Sequence, residues 1–277
     1  MQKIIEGVRL AYDVAGSGDA VVLLHGFPLD RTIWDAQFAA LAQRCKVIRL
    51  DLRGSGESGC GQGPALMETL AGDLCGLLDA LEVERAIVAG HSIGGYVALA
   101  FFRMYAERVA GLALIASHVA ADSVGRWAER DALAAAVEAH GIDPAIDLYL
   151  PRAFAGAPAA DRQLVDRTRA IMARQSGPGA AAQIIGMKER VGSEDLLEDI
   201  FVPATIVAGE SDEWIPIAAL ERTAAAIADC EFVVVPGVGH LPMLEAPDVT
   251  TAALERLIAR CALSGAADPQ TVRAARA

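Results

Sequence analysis

The chain has 277 residues, with 24 Lys and Arg against 36 Asp and Glu, a net charge of -12. That balance argues against a nucleic-acid binder, which needs a basic surface. A composition 53% hydrophobic and 22% charged argues against a disordered chain. Cys45, Cys60, Cys75, Cys230 and Cys261 are scattered, with no CxxC pair and no metal-ligand spacing, and read as free thiols of a reducing cytoplasm. The first ten residues carry no apolar export signal. The stretch free of Asp, Glu, Lys and Arg between Arg85 and Arg103 is broken by Gly90, Gly94 and Gly95, so no membrane span is expected.

Residues 3–13 alternate as a small antiparallel hairpin with Glu6 and Gly7 at its turn. Apolar runs at 21–24, 47–50, 86–89, 111–116, 205–208 and 232–235 read as strands covered on both faces. Between them, 66–81 places Leu66, Leu70, Leu74, Leu77, Leu78 and Leu81 at helical spacing. Glu68, Asp73 and Asp79 fall mostly on the opposite side, which predicts an amphipathic helix on the sheet. Strands alternating with helices predict an α/β fold with a mostly parallel sheet. From His118 to about Ile200 the alternation stops and the chain is Ala-rich and helical, punctuated by Pro144, Pro151, Pro158 and Pro178. No Gly/Ser linker bounds this segment, so it is expected to pack over the sheet as a lid. The resulting division is a core from 1–117, a helical insertion from 118–200, a second part of the core from 201–263, and a frayed polar tail from 264–277.

The strongest chemical signal is Gly90-His91-Ser92-Ile93-Gly94, a GxSxG between a strand and a helical run. A serine on a sharp strand-to-helix turn needs its neighbours to be small, because strand and helix approach closely there. Such a hydroxyl is a weak nucleophile and needs a base, which in turn needs an orienting acid. Two later loops at strand carboxyl ends supply them: 209–212, with Asp212, and 237–240, with His240. Glu210 and Glu213 flank Asp212 and compete as the acid. Among the histidines, His25 and His91 suit bracing roles and His140 suits an exposed position. His118, after the strand at 111–116, suits either the pocket or a hinge.

The motifs His25-Gly26-Phe27-Pro28, 51–58, 90–95, 209–212 and Gly239-His240, in that order, resemble the capped, esterase-like branch of the α/β-hydrolase fold. The resemblance implies a mostly parallel sheet flanked by helices, with a helical cap inserted after the sixth strand. It implies that Ser92 attacks, His240 shuttles the proton, Asp212 orients His240, and the backbone N–H groups of Phe27 and Ile93 form an oxyanion hole. In this family the loop at Asp51 and Arg53 is structural, an ion pair or turn. A serine in the nucleophile position disfavours dehalogenase and epoxide hydrolase chemistry, which needs a carboxylate there.

The expected activity is hydrolysis of a small ester, lactone or thioester, with no cofactor and no metal. Trp34, His118, Trp127, Phe154, Trp214 and Leu241 are the candidates for lining the substrate pocket. A carboxylate substrate would want a basic anchor, for which Arg126, Arg130, Arg152, Arg174 and Lys188 compete with the plainer reading of exposed helix-face charge. Carbon–carbon bond hydrolysis, perhydrolysis and lyase chemistry are open to the same three residues. A non-catalytic ligand-binding protein is the alternative from another class.

Overall fold

The computed structural model describes residues 1–156 and 161–263; Pro158 and the tail at 264–277 lie outside them. The strands are β1 (Gln2–Ile5), β2 (Val8–Ala15), β3 (Ala20–Leu24), β4 (Lys46–Leu50), β5 (Ala86–His91), β6 (Val109–Ile115), β7 (Ala204–Gly209) and β8 (Cys230–Val235). They form one sheet in the order β1-β2-β4-β3-β5-β6-β7-β8. The first two strands pair antiparallel through a two-residue turn in which Glu6 and Gly7 both take positive φ, and every pair from β3 onward is parallel. Strands β3, β5 and β7 are buried along their whole length, as near-continuous apolar sequence requires.

The helices are α1 (Asp35–Leu41), α2 (Met67–Ala80), α3 (Ile93–Met104), α4 (Val124–His140), α5 (Asp143–Tyr149), α6 (Arg162–Ala173), α7 (Gly177–Lys188), α8 (Ile217–Ala226), α9 (Pro242–Glu245) and α10 (Pro247–Leu263). Period-two alternation divides the sheet between two cores. Val22, Leu24, Ile48, Leu50 and Val88 pack against α2, α3 and α8, whereas Val21, Leu23, Val47, Ile87 and Ala89 pack against α1 and α10. Leu74, Leu77 and Leu78 of α2 are fully buried, each contributing roughly 1.5–3 kcal/mol. Among the described residues, no helix is long and apolar enough to cross a membrane.

Helices α4 to α7 lie between β6 and β7 and join both cores, Val137 and Ile184 on one face and Ile146, Phe154 and Ile171 on the other. Two amides tie them to the loop after β4. Gln175 accepts from the Gly56 N–H at 2.8 Å, and Gln183 donates to the Arg53 carbonyl and the Ser55 hydroxyl, both at 2.8 Å.

In α2 the polar face is narrower than the spacing predicts. Asp73 does not face solvent with Glu68: it is 3% exposed and takes a bidentate pair from Arg53, at 2.8 and 2.6 Å. The Arg53 guanidinium needs that carboxylate because it is itself largely buried. Asp51 pairs instead with Arg31, which also engages Asp13 and Glu57. Removing one partner of a buried pair strands the other charge. Asp73→Ala should therefore destabilise the fold by about 3–5 kcal/mol, and Arg53→Met in the same chain should recover part of the loss. Urea denaturation of the three proteins measures this; equal stability of Asp73→Ala and wild type would contradict it.

Candidate active site

The strand order reverses between β3 and β5, because β4 leaves on one side of β3 and β5 arrives on the other. Parallel sheets open a crevice at the carboxyl ends of strands at such a reversal. Register places Leu24 beside Gly90, His91 beside Ile115, and Gly209 beside Val235. The segments following β3, β5, β6, β7 and β8 thus deliver Phe27, Ser92, His118, Asp212 and His240 to one end of the sheet.

Ser92 sits at φ 50°, ψ -116°, a conformation that non-glycine residues rarely adopt and that costs on the order of 1–3 kcal/mol. Its N–H donates to the Ile115 carbonyl at 3.0 Å, and its own carbonyl accepts from Ser117 Oγ at 2.8 Å. Strand and helix then meet too closely for side chains: a Cβ on Gly90 would lie 2.1 Å from the Gly94 oxygen, and one on Gly94 would lie 2.5 Å from the Leu24 oxygen. Ile93 opens α3, so its N–H belongs to the first turn, where donors have no carbonyl within the helix.

The buried carboxylate of Asp212 is fixed on both oxygens. Oδ1 accepts from the N–H groups of Trp214 at 2.8 Å and Ile215 at 3.1 Å, while Oδ2 lies 2.8 Å from Nδ1 of His240. With Nδ1 donating to Asp212, Nε2 of neutral His240 keeps its lone pair. The flanking acids are placed differently: Glu210 accepts from the Gly237 N–H at 2.9 Å, and Glu213 lines the cavity.

The loop carrying His240 is clamped from three directions. The His240 N–H donates to the Ala153 carbonyl at 3.0 Å, and its carbonyl accepts from Nε2 of His91 at 2.8 Å. Burial holds His91 well below the usual imidazole range, so this brace is a neutral donor. Glu245 accepts from the N–H groups of Gly239 at 2.9 Å, Leu241 at 3.3 Å and Ala155 at 3.0 Å. Burial raises its carboxyl above the ordinary value, against the effect of those donors. Neither Glu245 nor Ser117 was singled out from sequence. The available signal was a Glu one turn into a helix, able to reach back to the N–H groups of the preceding loop. His25, as expected of a brace, donates from Nδ1 to the Gly26 carbonyl and accepts the Leu52 N–H on Nε2, both at 2.9 Å.

Ser92 and His240 border one cavity of about 430 Å³, together with Phe27, Tyr96, His118 and Trp214. Of the six residues expected to line a pocket, His118 and Trp214 do so. Trp34, Phe154 and Leu241 do not; they are at most 2% exposed and belong to the core shared with α1 and α10. Trp127 is 43% exposed and is also absent from the wall. Apolar character suits wall and core alike, and burial assigns three of them to the core. The wall instead takes Tyr96, Tyr149, Arg126, Arg130 and Arg152 from α3 and the helices between β6 and β7. Arg174 and Lys188 are elsewhere, paired with Asp30 and Asp131.

A serine on a strand-to-helix turn at the crevice of a mostly parallel sheet defines the α/β-hydrolase class of enzymes. Residues 21–253 match the model of the alpha/beta hydrolase family, and the chain belongs to it. It is 30% identical over 244 residues to a putative carbamate hydrolase of Azorhizobium caulinodans, covering 87% of this chain and 91% of that one. A thermophilic esterase from Thermogutta terrifontis, solved with malate bound, superposes with a TM-score of 0.91 at 34% identity, covering 94% and 98% of the two chains. The enol-lactonase of Burkholderia xenovorans superposes at 0.87 with 26% identity, covering 94% and 100%. An uncharacterized protein of Mycobacterium tuberculosis is 36% identical over 115 residues, 42% of this chain and 34% of its own length, so the match spans about a third of that relative. Relatives of the chain include proteins named as a hydrolase, an esterase and a lactonase.

Glu245→Ala would free three N–H groups around His240; it should lower kcat by about tenfold or more with KM little changed, and steady-state kinetics on an ester decides it. Burial and the nearby Arg190 push the His118 imidazole down to about 4 from its ordinary 6.5. The unfolded chain therefore gains a proton between those values that the folded chain does not, and stability present above pH 6.5 is lost as pH falls toward 4. By pH 5 the loss amounts to about 2 kcal/mol. His118→Asn should flatten the fall in Tm between pH 7 and 5, read by scanning calorimetry; an identical fall in both proteins would contradict this.

Proposed function

We propose that the protein is a serine hydrolase acting on a small ester, lactone or related acyl compound, with Ser92 as nucleophile, His240 as base and Asp212 as the acid that orients it. The observation that carries this reading is the 2.8 Å contact of His240 Nδ1 with the doubly anchored Asp212, His240 itself bordering the cavity that also holds Ser92 at φ 50°. Esterase, enol-lactonase and carbamate hydrolase relatives support an acyl substrate.

In the reaction, Nε2 of His240 takes the Ser92 proton as Oγ attacks the carbonyl carbon. The tetrahedral oxyanion is received by the backbone N–H groups of Phe27 and Ile93, each worth about 3–4 kcal/mol in a water-poor site. Protonated His240 then gives its proton to the departing alcohol oxygen, leaving an acyl ester on Ser92. Water, deprotonated by His240, repeats the sequence and releases the acid. Helices α4 to α7 act as a cap over the reacting bond, and a cavity of about 430 Å³ suits a small acyl group better than a long lipid chain.

With p-nitrophenyl butyrate as substrate, Ser92→Ala and Asp212→Asn should each lower kcat by on the order of 10⁴-fold or more. Phe27→Ala keeps its backbone donor and should stay within about tenfold of wild type. Turnover that survives in Ser92→Ala would contradict the assignment. A wild-type protein that binds the ester without turnover would favour a ligand-binding role.

A further inference from the structure

Three arginines, Arg126, Arg130 and Arg152, stand in the wall of the cavity that holds Ser92 and His240, in a chain whose net charge is -12. Their partners differ. Arg130 is committed to structure: it is 6% exposed, its Nε is 3.0 Å from Asp122, and it donates to the Tyr149 hydroxyl at 2.8 Å. Asp122 is also within 3.7 Å of Arg190, so its charge is already shared between two guanidinium groups. Among the described residues, Arg126 pairs only with the exposed Glu129 one turn along its own helix, a contact of small worth in water. Arg152 has no carboxylate within ion-pairing distance among the described residues. The remaining acid on the wall is the exposed Glu213.

Arg126 and Arg152 are held over the same ring. The guanidinium carbon of Arg126 lies 5.4 Å, and that of Arg152 5.2 Å, from the centroid of Trp214, which Tyr149 stacks against at 4.8 Å. Stacking on an aromatic ring restrains a guanidinium while leaving its in-plane N–H groups available. The backbone of Trp214 is itself set by Asp212, whose Oδ1 accepts the Trp214 backbone N–H. The arginine pair is therefore registered to the same loop that orients His240.

We infer that the substrate carries a carboxylate remote from the bond that is cleaved, and that Arg126 and Arg152, braced on Trp214, receive it. This rests on the serine hydrolase reading for the reaction, but not for the binding of the anion. A planar carboxylate matches the fork of a guanidinium. The apolar contribution of Phe27, Tyr149, Met187 and Ile215 to the same wall suits a short carbon chain between that carboxylate and the acyl carbon. The substrate class is then a hemi-ester or lactone of a short dicarboxylic acid.

The test measures binding and turnover separately. Calorimetry on the wild-type, Arg126→Met, Arg152→Met and double-variant arginine pairs, all with Ser92→Ala so that the ester is not cleaved, would use glutarate, dimethyl glutarate and inorganic phosphate. Glutarate should bind wild type and weaken by about tenfold or more in each single variant, while dimethyl glutarate should not respond to the substitutions. In parallel, kcat/KM for the p-nitrophenyl hemi-ester of glutaric acid should exceed that for p-nitrophenyl butyrate in wild type, and the ratio of the two should fall by about tenfold or more in the variants. Glutarate affinity equal in wild type and double variant, no preference over its dimethyl ester, or tighter binding of phosphate would overturn the inference. Butyrate turnover with any of those outcomes would leave the hydrolase reading intact. Arginine-dependent glutarate binding without turnover of either ester would remove the hydrolase reading and keep the anion site.

Discussion

The backbone of Ser92 is the constraint on which the rest of the site depends. A non-glycine residue at φ 50° between a buried strand and a buried helix persists only where its surroundings determine it more strongly than it resists. Here the determination comes from β6 on one side, through the Ile115 carbonyl and the Ser117 hydroxyl, and from the contact of Gly90 with Gly94 on the other. The strain lifts the side chain out of the sheet and points the first turn of α3 at the same space. A relaxed turn would lose both effects together.

A second level of support acts on the histidine. His240 belongs to a loop, and loops supply chemistry only when a rigid frame positions them. The frame is assembled from distant parts of the chain: His91 beside the serine, Ala153 and Ala155 between β6 and β7, and Glu245 at the end of α9. His91 joins the two halves directly, since it precedes Ser92 in sequence and donates to the carbonyl of His240. Movement of the serine turn is therefore felt at His240. Buried neutral imidazoles at His25, His91 and His118 make acid a common threat to this frame, because each is held below its ordinary value by burial.

What the sequence makes legible is what is local. Strand and helix periods, the glycine spacing about Ser92, and the loops ending at Asp212 and His240 are read within a few residues, and the geometry places all three side chains at one end of the sheet. What depends on folding together is not legible in this way. Asp73 reads as a solvent-facing charge until Arg53, twenty residues earlier, is brought beside it. Trp34 and Phe154 read as pocket walls until packing assigns them to the core. Arg126, Arg130 and Arg152 are three helix-face charges by pattern and three different environments by structure: one exposed pair, one buried pair, and one cation without a carboxylate partner among the described residues.

The central claim, an activated Ser92, is tested most directly by reacting the purified protein with a fluorophosphonate and locating the adduct by intact mass and peptide mapping. The account predicts a single adduct on Ser92 in wild type and none in Ser92→Ala. A folded wild-type protein that remains unlabelled, or an adduct on another residue that persists in Ser92→Ala, would contradict it.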